Sequence, residues 1–296
     1  MRRFIPVIVG LAVLGAGAFW GLTRPSTLPA AAFDGLSGDA ARGQTVFWAT
    51  GCASCHMAAD ATGDAQLVLA GGQRFSSDFG TFIAPNISPD PDQGIGGWDL
   101  PAFANAITRG VSPEGAHYYP ALPYGAYANM ELQDVADLKT FMDTMPASAT
   151  ASLPHEVSFP FTLRRGLGLW KRMFLQTGWV IDGDLTDLQT RGRYITEAMA
   201  HCGECHTPRN LLGGLKRDQW LAGAPDPSGK GKIPNITPGV LKWSEAEIVD
   251  YLTSGFTPEY DPVGGSMAHV VENMARLPET DRQAVAAYLK RVPAVP

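Results

Sequence analysis

The first feature of the hydropathy pattern is an uncharged, apolar run of 19 residues, Phe4–Leu22. Its length suffices for a helix that crosses a bilayer. Two arginines before it and Arg24 after it favour a cytoplasmic N-terminus and an exported body. A cleavable signal usually has a shorter apolar core followed at once by small residues, whereas Ala30-Ala31-Ala32 lies well beyond this run. We therefore predict an uncleaved anchor over residues 1–24, with a removed signal peptide as the alternative; either places the body in the periplasm.

Further along the chain, apolar residues at helical spacing alternate with loops rich in Gly and Pro. Asp99 and Ser244 occupy N-cap positions of two predicted helices. No convincing set of alternating strands is present. The predicted helices cover residues 39–51, 99–108, 132–144, 188–201, 244–253 and 279–290. This pattern predicts an all-α fold with long loops.

The sequence also repeats itself, with a period of about 150 residues. The first copy has one residue fewer than the second between its leading glycine and its first cysteine. The matched landmarks are Gly43 and Gly192, Leu69-Ala-Gly and Leu221-Ala-Gly, Pro85-Asn-Ile and Pro234-Asn-Ile, Trp98 and Trp243, Gly110 and Gly255, and Phe141 and Tyr288. The repeat predicts a linker at 25–38, a first domain at 39–146, an interdomain linker at 147–186 and a second domain at 187–296.

Composition narrows the possible functions. The hydrophobic content of 45% and charged content of 18% are typical of a globular protein. A net charge of −6 argues against a nucleic-acid partner, because binding to phosphates requires a positive surface. The chain has 33 Gly and 23 Pro, so its loops are extensive for such small domains. Something other than apolar side chains must supply part of each core, and a haem would do so.

All four cysteines fall in two CxxCH motifs, Cys52-Ala-Ser-Cys55-His56 and Cys202-Gly-Glu-Cys205-His206. Such a motif is the attachment sequence of c-type haem: two thiols on one helical turn form thioethers to one porphyrin, and the histidine ligates iron. A zinc site or a thiol redox pair is the alternative. Zinc would require the two motifs to meet in one site, whereas the repeat assigns one to each domain. We therefore predict two covalently bound haem c groups, with His56 and His206 as iron ligands.

The sixth iron ligands are predicted from loop position. An axial Met raises the reduction potential and suits an electron carrier. Met267 stands in a loop before the last helix of the second domain, with Met274 and His269 as alternatives. Met130 is the methionine that precedes the closing helix of the first domain, with His117 as its alternative. The remaining candidates, Met57, Met142 and Met145, are interpreted as packing residues.

Several other polar and aromatic residues could contact the propionates or the edge of each haem. An amide or an indole N–H can donate to a propionate, and a guanidinium can pair with one. The alternative is ordinary loop and core packing. The residues concerned are Asn86, Asn235, Trp98, Trp243, Arg74 and Arg109.

Aromatic and basic residues are mixed in the interdomain linker, between Phe159 and Phe174. One interpretation is a surface for a membrane or a partner protein. The other, which the aromatic content favours, is a segment packed across the seam between the domains, with solvated arginines.

The loop motifs resemble those of the cytochrome subunits of membrane-associated bacterial dehydrogenases that oxidise alcohols, aldehydes or sugar acids. The motifs are Pro85-Asn-Ile-Ser-Pro-Asp, Gly94-Ile-Gly-Gly-Trp98, Tyr119-Pro-Ala-Leu-Pro-Tyr124 and the two CxxCH sequences. The resemblance covers nearly the whole chain after residue 38. The better-known members carry three haems where this chain has two motifs, and many have Met at the position of Leu122. The implied fold is a tandem pair of class I cytochrome c-like helical domains, each wrapped around a covalent haem.

The two CxxCH motifs and the N-terminal apolar run predict a dihaem c-type cytochrome on the periplasmic side of the inner membrane, and the resemblance implies that it is the electron acceptor of a dehydrogenase. It would take electrons from a dehydrogenase subunit and pass them to a downstream cytochrome, an oxidase or quinone, with no catalytic activity of its own. The alternative is a dihaem enzyme of the peroxidase type, which would need one haem with an exchangeable ligand. A haem-based sensor would need a signalling domain, for which no residues remain.

Overall fold

The computed structural model describes residues 4–227, 229 and 231–296, with side chains described from residue 7. The two arginines predicted to orient the N-terminal segment lie outside the described residues. Among the described residues the helices are α1 (Phe4–Leu22), α2 (Ala40–Thr50), α3 (Cys52–His56), α4 (Leu100–Arg109), α5 (Tyr124–Tyr127), α6 (Leu132–Met142), α7 (Leu167–Phe174), α8 (Asp187–Arg193), α9 (Cys202–His206), α10 (Glu245–Ser254), α11 (Met267–Ala275) and α12 (Glu279–Arg291).

The predicted helical fold is confirmed, and the caps explain where two helices begin. The Asp99 carboxylate accepts a hydrogen bond from the backbone N–H of Ala102 at 2.8 Å, at the start of α4. Ser244 and Glu247 form a reciprocal capping box at the start of α10. In both cases a side chain satisfies backbone donors that the first turn leaves unpaired.

Short strands add to the predicted architecture. They are β1 (Arg74–Ser77), β2 (Gly80–Ile83), β3 (Glu156–Val157), β4 (Ala224–Pro225) and β5 (Lys232–Ile233). The first three form one antiparallel sheet in the order β1-β2-β3, and the last two form a separate antiparallel pair. Pairings of two to four residues are too short to give an alternating hydropathy pattern, which is why the sequence did not reveal them.

Each domain is built on a crossing between its first long helix and its last. Helix α2 packs against α6 in the first domain, and α8 packs against α12 in the second. A Cβ atom on Gly43 would overlap the backbone carbonyl of Asp137, and one on Gly192 would overlap that of Ala284. The equivalent aromatic residues, Phe141 and Tyr288, lie beside these glycines. The glycines matched in the repeat are therefore the points at which the two backbones meet.

The extra residue in the second copy is accommodated in a π-helix. Helix α8 continues into π-helical turns over Tyr194–Met199 before it reaches Cys202. A π-helix takes up one additional residue without breaking the helix. The single insertion between Gly192 and the cysteine thus leaves both ends of the helix in register with the first domain.

The two domains contact each other directly. Asn273 of α11 donates a hydrogen bond to the Ser54 hydroxyl at 2.9 Å, within the first CxxCH motif. The guanidinium of Arg276 lies 4.0 Å from the centroid of the Trp48 ring. A second contact joins Tyr194 to the Asp134 carboxylate. These contacts hold the second domain against the first motif.

Helix α1 covers the residues of the apolar run. No helix in the part of the chain with described residues combines the length and the apolar content that a membrane crossing requires.

Candidate functional site

Each CxxCH motif forms a short helix, α3 or α9, that follows a long helix after one left-handed residue. Gly51 has φ 66° before Cys52, and His201 has φ 44° before Cys202. This sharp change of direction sets each motif across the end of the helix that leads into it. The residue after the first cysteine, Ala53 or Gly203, is buried in both motifs.

The first cysteine of each motif is partly buried, and the second, Cys55 or Cys205, is exposed. Burial of the sulfur raises the pKa of Cys202 to about 12. A thiol redox pair needs a cysteine with a lowered pKa, because the thiolate is the nucleophile. The buried Cys202 thiol therefore does not suit thiol–disulfide chemistry, whereas the exposed Cys55 and Cys205 are open to attachment of a large group.

The histidine of each motif is held by a proline carbonyl from a distant loop. The Nδ1–H of His56 donates to Pro85 at 2.8 Å, and that of His206 donates to Pro234 at 2.8 Å. This bond fixes the tautomer and leaves the Nε2 lone pair for a metal. Burial lowers the pKa of both imidazoles, so the neutral form that ligates a metal is favoured.

These features fit a haem. The described residues contain no group of three or more His, Cys, Asp or Glu side chains that could hold a metal ion. Two thiols and one oriented imidazole are instead the set that covalent haem requires from the protein. The proline carbonyls were missed in the sequence analysis, although the repeated Pro-Asn-Ile motif marked their position.

The predicted axial methionines occupy different settings. Met130 is buried between α5 and α6, with 6% of its surface exposed. Met267 is the first residue of α11 and is partly buried against the core, so the predicted flexible loop ends in a helix at this residue. Met274, the alternative, is buried on the same helix. Met57, Met142 and Met145 are also buried in the core, so burial does not separate them from Met130, and their interpretation as packing residues stays a prediction.

The two alternative histidine ligands have other partners. His117 is buried, and its Nε2–H donates to the Thr23 carbonyl at 2.8 Å. His269 lies with Nδ1 3.5 Å from the Glu272 carboxylate. Nδ1 of His117 has no hydrogen-bond partner, so its contact with Thr23 occupies only one ring nitrogen. The choice between these histidines and the methionines therefore stays a prediction.

The asparagines of the repeat serve packing. Asn86 donates to the carbonyls of Ser148 and Thr150, at 2.7 and 2.8 Å, and Asn235 donates to Val295 at 3.0 Å. In each domain this amide ties the loop that holds the ligand histidine to the segment after the last helix. The packing alternative, not the propionate contact, is therefore the one that the structure supports for these residues.

The arginines and tryptophans that could contact a haem edge lie in different surroundings. Arg74 pairs with Glu156 in the first sheet. Trp98 and Trp243 are partly buried against the core. For the two tryptophans and Arg109, contact with a haem edge stays a prediction.

The interface between the two motifs contains a buried tyrosine that the sequence analysis did not identify. Tyr127 donates to the Thr50 carbonyl at 2.9 Å and packs edge-on against His201, with ring centroids 5.7 Å apart. Thr50 and His201 precede the two CxxCH motifs. One side chain thus bridges the segments that lead into both candidate haem sites.

Comparisons with known proteins agree with this assignment. The cytochrome c family model matches residues 40–146. A diheme cytochrome c-type protein of Cereibacter sphaeroides is 55% identical over 100% of both chains. The fructose dehydrogenase cytochrome subunit of Gluconobacter japonicus is 37% identical over 86% of this chain and 52% of its own length. The cytochrome c subunit of the quinone alcohol dehydrogenase of Gluconobacter oxydans is 34% identical over 86% of this chain and 55% of its own. The chain thus spans about half the length of these dehydrogenase subunits.

Proposed function

Because this chain belongs to the cytochrome c family and carries two covalently bound haem c groups, we propose that it passes electrons from a dehydrogenase to the respiratory chain, with no substrate of its own. Bound haem supplies one-electron redox chemistry, and the protein supplies attachment, ligand orientation and burial. The observation that carries the proposal is the pair of equivalent histidine sites, each with Nδ1 held by a proline carbonyl.

The proposed attachment residues are Cys52 and Cys55 with His56, and Cys202 and Cys205 with His206. We assign each set to its own domain, 39–146 or 187–296. Met130 and Met267 are the proposed sixth ligands, which would close both irons to exogenous molecules.

The contact between the domains supports electron transfer within the chain. Asn273 of the second domain hydrogen-bonds Ser54 of the first motif, and Tyr127 bridges Thr50 and His201. These contacts hold the two attachment helices in a fixed relation, as a two-step carrier requires. An electron accepted at one haem would then reach the other without a domain rearrangement.

The proposed donor is the catalytic subunit of a dehydrogenase, because several relatives are cytochrome subunits of fructose, alcohol and gluconate dehydrogenases. The proposed acceptors are a downstream cytochrome, an oxidase or quinone. We place the body on the periplasmic side of the inner membrane, with α1 retained as an anchor. Two observations support retention: the apolar run has 19 residues in the sequence, although the described side chains of α1 begin only at Val7, and Thr23 directly behind α1 is buried.

A reduction assay in solubilised host membranes tests the proposal. The substrates named for the dehydrogenases of its relatives (fructose, alcohol, gluconate and nicotinate) would be added in turn, and reduction of the chain's own haems would be followed by absorption. A strain that produces the chain with Cys52, Cys55, Cys202 and Cys205 all replaced by Ala gives the background from other cytochromes. Substrate-dependent reduction in the wild type above this background is expected. Haems that remain oxidised with every substrate while ascorbate reduces them would contradict a dehydrogenase donor of this class.

A further inference from the structure

The C-terminal end of α1, which we call its root, packs closely against the interdomain linker and the first domain. Thr23, directly after the helix, has 0% of its surface exposed. Its carbonyl accepts a hydrogen bond from His117, and its hydroxyl accepts one from Arg165 at 2.8 Å. A Cβ atom on Gly168 of α7 would lie 2.6 Å from the Thr23 Cα, so α7 packs on Thr23 without space to spare. Helix α1 is therefore fixed to the linker at its root.

Two arginines of the linker bind the last turn of α1. Arg165 donates to the Trp20 carbonyl at 2.7 Å, and its guanidinium lies 4.1 Å from the centroid of the Trp20 ring. Arg172 donates to the Leu22 carbonyl. The last carbonyls of a helix carry partial negative charge and lack partners within the helix, so cations at this end stabilise it. Together with the exposed Arg24, these residues form a positive collar around the root of α1.

Apolar side chains beside this collar are exposed rather than packed. We call them the linker face: Phe159, Phe161, Leu163, Met173, Leu211 and Leu212. Phe159 is 77% exposed and Leu211 is 98% exposed. Single exposed apolar residues are common in proteins, but several large ones gathered at one place mark an interaction surface.

Specific contacts join the parts of the linker face. Trp170 of α7 donates its indole N–H to the Leu212 carbonyl at 2.7 Å. The Phe79 ring, at the tip of the β1–β2 hairpin, packs against Phe161 with centroids 5.1 Å apart and lies 3.2 Å from the Cβ position of Gly213. The first domain, the linker and the loop around Leu211 therefore meet at one surface.

The sequence allowed two interpretations of the linker, an interaction surface or a segment packed between the domains, and the structure supports each for a different part of it. The Phe174 ring packs directly against Gly214, and a Cβ atom on that glycine would lie only 2.4 to 3.0 Å from atoms of the ring. This part of the linker therefore fills the seam between the domains. The exposed members of the linker face are not used in that seam. The preference for a purely structural seam was thus incomplete.

We infer that the linker face lies in the headgroup region of the bilayer that holds α1, with its positive collar on anionic phospholipids. The inference rests on the proposed anchoring of α1. The collar and the face are continuous with the root of a helix whose apolar side chains, from Val7 to Leu22, are mostly exposed. Arginine together with large apolar and aromatic side chains is the composition that favours the membrane interface. The bilayer would then fix the orientation of both haem domains.

Thiol accessibility in lipid nanodiscs tests this inference. The full-length holoprotein would be placed in discs of phosphatidylethanolamine and phosphatidylglycerol, with either Leu211→Cys or Tyr260→Cys. Tyr260 is 84% exposed in the loop between α10 and α11 and serves as the matched control. The native cysteines do not interfere because they are thioethers in the holoprotein. A water-soluble maleimide reacts with the thiolate, which forms poorly in an apolar layer, so Leu211→Cys should react at least about tenfold more slowly than Tyr260→Cys.

Equal rates at the two positions would overturn the inference. Fast reaction of Leu211→Cys in discs combined with protection in native membranes would assign the face to a protein partner and also overturn it. Holoprotein that does not co-elute with the discs would show that α1 is not an anchor, and the inference would fail with it. Electron transfer is measured separately by substrate-dependent haem reduction, so the carrier function can stand or fall on its own.

Discussion

The Nδ1 atom of His56 lies 2.8 Å from the carbonyl oxygen of Pro85, and the second domain repeats this relationship between His206 and Pro234. Each bond joins an attachment helix to a loop 28 or 29 residues further along the chain. A metal-ligating histidine is generally oriented by such a partner on its other ring nitrogen. The repeat therefore duplicates an oriented ligand, and not only a CxxCH sequence.

Changes in one motif should affect one haem. Replacing Cys202 and Cys205 with Ala should lower the haem content from two to one per chain, because the thioethers hold the haem during assembly. Replacing His206 with Ala should leave two attached haems, one of which becomes high-spin. A pyridine-haemochrome count and electron paramagnetic resonance distinguish these results. A normal low-spin signal for both haems in His206→Ala would contradict its role as a ligand.

The methionine assignments can be tested with matched pairs on neighbouring elements. Met130→Leu should remove the sulfur–iron band of the first haem and lower its potential by roughly 0.1 V or more, within the ~0.8 V range that axial ligands span. Met142→Leu, which changes a buried core residue of the same domain, should leave the sulfur–iron band and the potential of the first haem unchanged. Met267→Leu and Met274→Leu form the corresponding pair in the second domain. A lost band in the Met274 variant would transfer the assignment to that residue.

The glycines at the helix crossings should tolerate no side chain. Gly43→Ala or Gly192→Ala would force a methyl group into the backbone of α6 or α12, and overpacking of this kind costs about 1–3 kcal/mol or more. Thermal unfolding followed by circular dichroism measures the effect. Gly166→Ala is the control, because its Cβ would meet nothing within 4 Å and its φ is −60°. Equal melting temperatures for all three variants would contradict the close packing described.

Much of this architecture could be predicted from the sequence because it depends on local signals. The caps at Asp99 and Ser244 and the helical periodicity placed the main helices, and the CxxCH spacing identified the attachment residues. The partner of His56 could not be predicted, since any residue can offer a backbone carbonyl. The short strands and the π-helical turns are also set by tertiary contacts. The sequence left the role of Asn86 open between two alternatives, because an amide suits a propionate and a carbonyl equally well.

The packing of the C-terminal end of α1 against the protein should become less stable in mild acid. Burial lowers the pKa of His117 below its ordinary value of 6.5, and the nearby cations Lys171, Arg165 and Arg164 lower it further. The unfolded chain therefore binds a proton more readily than the folded chain as the pH falls below about 6.5, so the stability contributed by neutral His117 declines there. His117→Gln keeps a donor for the Thr23 carbonyl but does not titrate. Proteolysis of the linker from pH 7.5 to 5.5 should increase in the wild type and not in this variant. The same increase in both would exclude His117 as the cause.

The central claim is that both haems are closed, six-coordinate electron carriers. The most direct measurement combines a pyridine-haemochrome count with absorption and magnetic circular dichroism of the oxidised, purified protein. We predict two haems per chain, both low-spin, each with the near-infrared bands of methionine–iron ligation and no spectral change on addition of peroxide. One high-spin or peroxide-reactive haem would contradict the account and favour a dihaem enzyme of the peroxidase type.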